Sequence, residues 1–482
     1  MVVLELVVIP MVAAVVVFSV RNDRVASILS TATVGFLSIY LVLISLFKEL
    51  PMVENYIEVV VHGHFEYSFS LGVDGFNIVV LITALTLLPS IYLYSYDYMK
   101  HRIKDLEGVT LNLFYGLLLL NTSGIVGVLI SYNMIAFIIF YELIVLTSWG
   151  LIYFYGYGNR VMVSFTYLVW SLIASLIIVI GLSTIYVYAG TFQFNPSSLA
   201  GIPPWVYYIL LIGFAIKMGL FGVHMWLPLA HAEAPTPFSA VLSPLIVGIG
   251  GYGFLRVVGP FVDLYELTLV LLVWGIASII YGGLGALLED DIKRILAYSS
   301  ISHMGYLVLA LSVHDPLLST MSFSYHYLSH AYAKALLFLS SGVLIYALDI
   351  RNINMVGGIL RKYKLCGLGF MVGFLSLAGL PPFAGFISKL LIISSVIRTA
   401  SEASLELYAL SLAALVSMVF TIAYGLRVIK NVVFGALRPS NVEFVSLPIT
   451  MHISLIIIII LLVITWFIPH LLLNLMLGAF KL

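Results

Sequence analysis

The chain has 482 residues, of which 62% are hydrophobic and only 9% charged, with 22 basic residues balancing 22 acidic ones. An ordinary soluble domain carries roughly 25% charged residues, so this composition leaves no room for a soluble domain and makes lipid the solvent. Cys366 is the only cysteine, which excludes a disulfide framework, a four-thiolate iron–sulfur cluster and a cysteine zinc site within this chain.

The expected fold class is all-α and integral to the membrane, with about fourteen spans. Apolar runs of about 20 residues, the length that crosses a hydrocarbon core roughly 30 Å thick, fall at 3–20, 26–46, 76–96, 112–130, 134–154, 161–188, 205–226, 240–259, 266–287, 292–313, 318–347, 365–395, 407–430 and 452–478. The first lacks a basic leader and a small-residue cleavage site, so it reads as a retained span. There is no Gly-Lys-Ser/Thr phosphate loop, so the driving energy is expected from an ion gradient or from a partner's chemistry. Gln193 is the sole glutamine, a hint of a thermophile.

Cytoplasmic loops collect Lys and Arg. Fourteen spans with both termini outside put fifteen basic residues on the inner side, among them Lys100, Arg102, Lys104, Lys293, Arg361 and Lys364, against Lys48, Arg256, Arg398 and Lys481 outside. Three lysines remain within the spans: Lys217, Lys334 and Lys389.

Two spans carry helix-breaking sequence, HMWLPLAHAEAPTP after Lys217 and GLPPFAGF before Lys389. Broken helices belong in a bundle interior or beside a wet cavity, because their freed backbone groups must be satisfied there. The breaks are five spans apart, which suggests inverted repeats: residues 1–111 as N-terminal spans, 112–259 and 266–430 as two five-helix repeats, and 431–482 as a C-terminal span.

An ionisable residue inside a span costs about 2.5–3.5 kcal/mol on insertion scales and marks a functional site by default. Glu142, in FIIFYELIVLTSW, is the one acidic residue deep in a span, and Lys217 is its expected counter-charge. A carboxylate beside a desolvated ammonium stabilises it, so separating the two releases a proton; the alternative is a buried structural salt bridge. In the eleventh span His326, His330 and Lys334 stand at i, i+4 and i+8, on one helix face. Imidazole has a donor and an acceptor nitrogen and relays protons near neutral pH. Haem ligation fits poorly, since two rings on one face cannot take opposite axial positions, and a metal on the two histidines lacks an acidic third ligand. Lys389 reads as a further path residue or as a lysine snorkelling to an interface. Lys293 and the Ser299, Ser300 and His303 face of the tenth span are accessory path candidates or packing positions. His224 and His231 flank the first break as gates, entry groups or interfacial residues.

At these residues the chain resembles the antiporter-like membrane subunits of respiratory complex I, multisubunit cation/proton antiporters and energy-converting membrane-bound hydrogenases. LGVDGF, the Glu142 position, KMGLFGVHMWLPLAHAEAPTPFSAVLS, DDIKRILAYSSISHMGY, HxxxHxxxK and GLPPFAGFISK occur in the family's order between about residues 70 and 395. The resemblance implies a fourteen-helix fold with two inverted repeats and conduction of protons or Na+, coupled to redox chemistry elsewhere. It implies a Glu142–Lys217 coupling pair, a His326–His330–Lys334 relay and an outer exit at Lys389. It also implies no cofactor in this chain, with iron–sulfur clusters and a NiFe or other redox centre in partner subunits. The partners implied are neighbouring antiporter-like subunits, peripheral redox subunits and the bilayer, with no nucleic acid. Gly248, in VGIGGYG, departs from the pattern, because many proton-pumping members carry a lysine there; relatives with a histidine about a turn earlier have it near Ser243. The long lateral helix of the distal complex I subunit is missing as well. The PTPFSAVLSP wording is most similar to archaeal hydrogenase-like complexes, which places the chain in a prokaryotic, archaeal cell membrane. The competing readings are a Na+/H+ antiporter subunit without redox partners and a structural subunit that has lost transport.

Overall fold

The computed structural model describes residues 2–61, 65–194, 201–259, 264–438 and 445–477. Lys481 and the end of the expected fourteenth span lie outside these described residues.

Two lipid-type helices open the chain, α1 (Val2–Ser19) and α2 (Asp23–Phe47). The Asn22 side chain accepts from the Arg24 and Val25 N–H groups and so caps α2. A β-hairpin that the span list did not contain follows, β1 (Met52–Val61) paired antiparallel with β2 (Phe65–Val73). Its signal is a short run of β-formers, Val53, Tyr56, Ile57, Val59, Val60 and Val61, interrupted by Glu54, Asn55 and Glu58, which is too short and too polar to register as a span. Glu54 fastens β1 to the start of α1 by accepting from the Val2 and Val3 N–H groups.

The long helices α3 (Ile78–Arg102), α4 (Leu111–Ile130), α5 (Met134–Tyr155) and α6 (Arg160–Ala189) come next. The first broken span is α7 (Pro204–Met218) followed by α8 (Trp226–Glu233). After it, α9 (Thr236–Val241) and α10 (Gly248–Val257) are joined through a π-helical turn, Leu242–Ile246. Pro244 sits in that turn and brings no N–H, so the ladder widens there instead of closing.

The second half runs through α11 (Tyr265–Leu288), α12 (Ile292–Leu311), α13 (Pro316–Leu348) and the single turn α14 (Ile359–Lys362). Its broken span is α15 (Lys364–Ala378) with α16 (Ala384–Ala403). Then come α17 (Leu405–Ser417), α18 (Val419–Val428) with its own π-turn Ile429–Val433, α19 (Ile449–Phe467) and α20 (Pro469–Leu477).

Among the described residues, twelve helices are long and apolar enough to cross a membrane. The expected seventh span corresponds to α7, which is only 15 residues long, and the tenth to the serine-rich α12; neither is among the twelve. The core sits where polarity is highest. α13 packs against α12, α15, α16, α3 and α9, and 89% of its most apolar stretch is buried, against 33% for α1, α2 and α19. The outer helices turn Val, Ile, Leu and Phe side chains outward, as lipid requires.

Candidate ion-translocation path

The first break begins where Gly219 adopts φ 64°, a left-handed conformation that lets its N–H and that of Leu220 cap the Ala215 and Ile216 carbonyls at the end of α7. Trp226, the first residue of α8, donates its indole N–H to the Ile216 carbonyl at 2.9 Å, which fixes the far side of the break. Lys217 lies within that last turn of α7 and is 1% exposed. Its Nζ is 3.4 Å from the Tyr167 hydroxyl and sits over two rings, 4.9 Å from Tyr141 and 5.5 Å from Tyr167. Aromatic faces attract a desolvated cation by about 2 kcal/mol or more.

Glu142 does not pair with this lysine. It accepts from the Ser175 hydroxyl on α6, and Lys217 forms no ion pair among the described residues. One residue of helix turns the chain by about 100°, so Tyr141 points in at Lys217 while Glu142 points half out. Glu142 lies on the stripe shared by Ile139 and Leu146, which are 53% and 56% exposed. Within the chain the partner of Glu142 is therefore Ser175 and not the expected Lys217.

The second break repeats the device with Gly379 at φ 78°. Gly385 at the head of α16 lies flat on the end of α15, where a Cβ would come 1.7 Å from the Ser376 carbonyl oxygen. Lys389 follows one turn later. It does not snorkel: it is 5% exposed, and its Nζ reaches back to within 3.5 Å of the Ala378 carbonyl and 4.7 Å of the Tyr306 ring centre.

Between the breaks lies the imidazole cluster. His326 and His330 have ring centres 6.4 Å apart on α13, and His303 of α12 lies against both, at 5.4 and 5.3 Å. His303 Nδ1 and His326 Nε2 are 3.3 Å apart, and His326 Nδ1 is 3.1 Å from the Ser388 hydroxyl, beside Lys389 in sequence. Lys334, 0% exposed, donates to the Leu296 carbonyl at 2.6 Å and to the Ser299 hydroxyl. The accessory candidates thus divide. Ser299 accepts from Lys334, His303 lies against both α13 histidines, and Ser300 bonds to Ser243 at 2.8 Å. Lys293 is buried and donates to the Ala234 carbonyl at 2.5 Å. His224 lies in the break with Nε2 2.9 Å from the Tyr281 hydroxyl. His231 flanks the break as expected but is not interfacial: it lies inside the bundle on α8, 0% exposed. Ser388 and Tyr306 were missed from the sequence, and Ser388 alone gave a signal, its adjacency to Lys389.

No group of three or more His, Cys, Asp or Glu side chains among the described residues is arranged to hold a metal ion. His303 and His326 are within reach for a proton to pass from ring to ring, each having one donor and one acceptor nitrogen when neutral, while His330 lies against both rings without a nitrogen-to-nitrogen contact.

Two broken helices bearing buried lysines, on either side of a buried imidazole stack, define an antiporter-like membrane subunit. Residues 131–421 match the family described as NADH:quinone oxidoreductase/Mrp antiporter, TM, and the chain belongs to that family. It is 28% identical over 453 residues to subunit M of the F(420)H(2) dehydrogenase of Methanosarcina mazei, covering 89% of this chain and 87% of that one. Against NADH-quinone oxidoreductase subunit M of Rickettsia felis it is 31% identical over 387 residues, covering 78% and 74%. The fold matches respiratory complex I from Thermus thermophilus with a TM-score of 0.84 at 21% identity, covering 99% of both chains. It also matches the Mrp complex from Dietzia sp., with a TM-score of 0.84 at 21% identity over 99% of this chain and 96% of that one.

Proposed function

We propose that this chain is a proton-translocating subunit of a redox-driven membrane complex, conducting through Lys217, the Lys334–His330–His303–His326 cluster and Lys389. The observation that carries the reading is the run of buried titratable side chains between the two helix breaks. Such groups are costly to bury, and the imidazoles lie within reach of one another. The family and its subunit M relatives support a place beside redox subunits. Iron–sulfur clusters and a NiFe or other redox centre then belong to partners, and reduced F420 and NADH, taken from the relatives' names, are the first donors to try. Protons are favoured over Na+ because Glu142 is the only carboxylate deep in a span, whereas hard cations prefer several oxygen ligands. The half-exposed Glu142 supports coupling to an adjoining antiporter-like subunit. Residues 112–259 and 266–430 serve as the two repeats, each with its break, and both termini face outward across a prokaryotic, archaeal membrane.

The test is to reconstitute the native complex in liposomes and follow turnover with pH- and Na+-sensitive dyes. Acidification lost in Lys217→Ala with assembly intact, and independent of Na+, supports the reading. Unchanged acidification in Lys217→Ala makes the chain a scaffold, and loss of assembly alone sinks the assigned role of Lys217.

A further inference from the structure

The two half-paths have no lysine between them in span 8, and the structure closes that position. A Cβ on Gly248 would fall 2.4 Å from Cε2 of Tyr327, whose hydroxyl is anchored on the Leu245 carbonyl at 2.8 Å. A proton crossing from Lys217 to Lys334 then passes along water or through another titratable group.

The geometry points to His231 as that group. Helix α8 begins at the Lys217 site: Trp226 bonds to the carbonyl of Ile216, and its ring lies 5.5 Å from the Tyr167 ring that faces Lys217. Five residues of helix, about 7.5 Å of rise, carry the chain from Trp226 to His231. The His231 ring is 0% exposed and stacks on Phe338 of α13 at 5.4 Å. Phe338 lies one turn beyond Lys334 on α13, and α8 packs against α12, whose Ser299 accepts from Lys334. Neither ring nitrogen has a protein partner, although buried polar atoms nearly always do. An imidazole with both nitrogens free can accept a proton at one and release it at the other. Breaking the first span therefore does two jobs: it ends α7 at Lys217, and it turns α8 inward so that His231 delivers to the second half.

This inference rests on the proton-conducting reading, and the experiment separates the two. His231→Gln and Lys217→Ala are compared in the reconstituted native complex, with assembly followed by native gel. His231→Gln is expected to assemble and to slow turnover-linked acidification by about 100-fold, the lower end of what a positioned proton-transfer group contributes. Adding Gly248→Lys with Tyr327→Ala is expected to recover acidification, which a merely structural role for His231 does not predict. Acidification lost in Lys217→Ala but kept in His231→Gln overturns the bridge and leaves the broader reading standing. Acidification kept in both removes the broader reading and the bridge with it. Should Gln prevent assembly, the smaller His231→Asn takes its place, and failure of both to assemble makes His231 structural and ends the proposal.

Discussion

One end of the bundle is held by a buried ion pair whose removal should be strongly asymmetric. Asp74, in the LGVDGF segment after β2, accepts from Arg256 of α10 at 2.5 Å, and both side chains are 7% exposed. The same carboxylate accepts from the Tyr132 hydroxyl at 2.5 Å and from the Phe76 and Asn77 N–H groups at 2.9 and 3.1 Å. Removing one partner of a buried pair costs about 3–5 kcal/mol. Asp74→Ala strands the guanidinium and also strips two backbone donors of a charged acceptor, so it should fall at the upper end, about 5 kcal/mol. Arg256→Met leaves Asp74 with three donors and should cost less than about 3 kcal/mol, since the remaining carboxylate stays solvated by hydrogen bonds. Asp74→Ala/Arg256→Met should be less damaging than the sum of the singles. The measurement is the SDS-unfolding midpoint of each variant in detergent. Equal effects of the two single substitutions, or a cost below about 1 kcal/mol for Asp74→Ala, would refute the argument that the charge pair and its donors form one unit.

Other expectations follow from close contacts. Gly385→Ala places a Cβ 1.7 Å from a backbone oxygen of Ser376, so assembly of the complex on a native gel should be lost. Gly248→Lys alone should destabilise by about 1–3 kcal/mol through overpacking against Tyr327, read as a lower unfolding midpoint that Tyr327→Ala restores. His303→Ala should reduce acidification at least as much as His326→Ala, because His303 is the ring in contact with both histidines of α13; near-normal pumping would remove it from the path. Ser243→Ala removes one hydroxyl bond while Ser300 keeps the Leu296 carbonyl, so stability should change by no more than about 1.5 kcal/mol.

Much of this was legible in the sequence because lipid imposes a simple rule. Twenty apolar residues, an interior proline pair and a Gly-rich cap each leave a strong local signal, and the long helices and the second break fall where that signal places them; the first break opens earlier than expected, at Gly219, and the WLPLAHAE stretch of the expected breaking sequence is helical as α8. The hairpin did not show, since its short run of β-formers is interrupted by Glu54, Asn55 and Glu58 and its fastening through Glu54 to the first residues of α1 is non-local. The π-turn was foreshadowed only by Pro244, which reads equally as a plain kink.

Side-chain partners were less legible than positions, and Glu142 shows why. Charge counting pairs the one carboxylate with the nearest lysine, but helical rotation decides the matter, sending Tyr141 to Lys217 and Glu142 outward to Ser175. The consequence is an interior rich in basic groups without acidic partners: Lys217, Lys293, Lys334 and Lys389 are all at most 5% exposed, and none forms an ion pair among the described residues. Like charges a few ångströms apart in a low-dielectric medium repel by several kcal/mol, so neighbouring members of the His326, His303, His330 and Lys334 cluster cannot all be charged together. They titrate as a group, and a proton arriving at one end therefore favours the release of another from the far end. On the proposed reading the spacing of the side chains sets how strongly one transfer prompts the next, and a charge brought to the outward stripe of Glu142 is the expected perturbation.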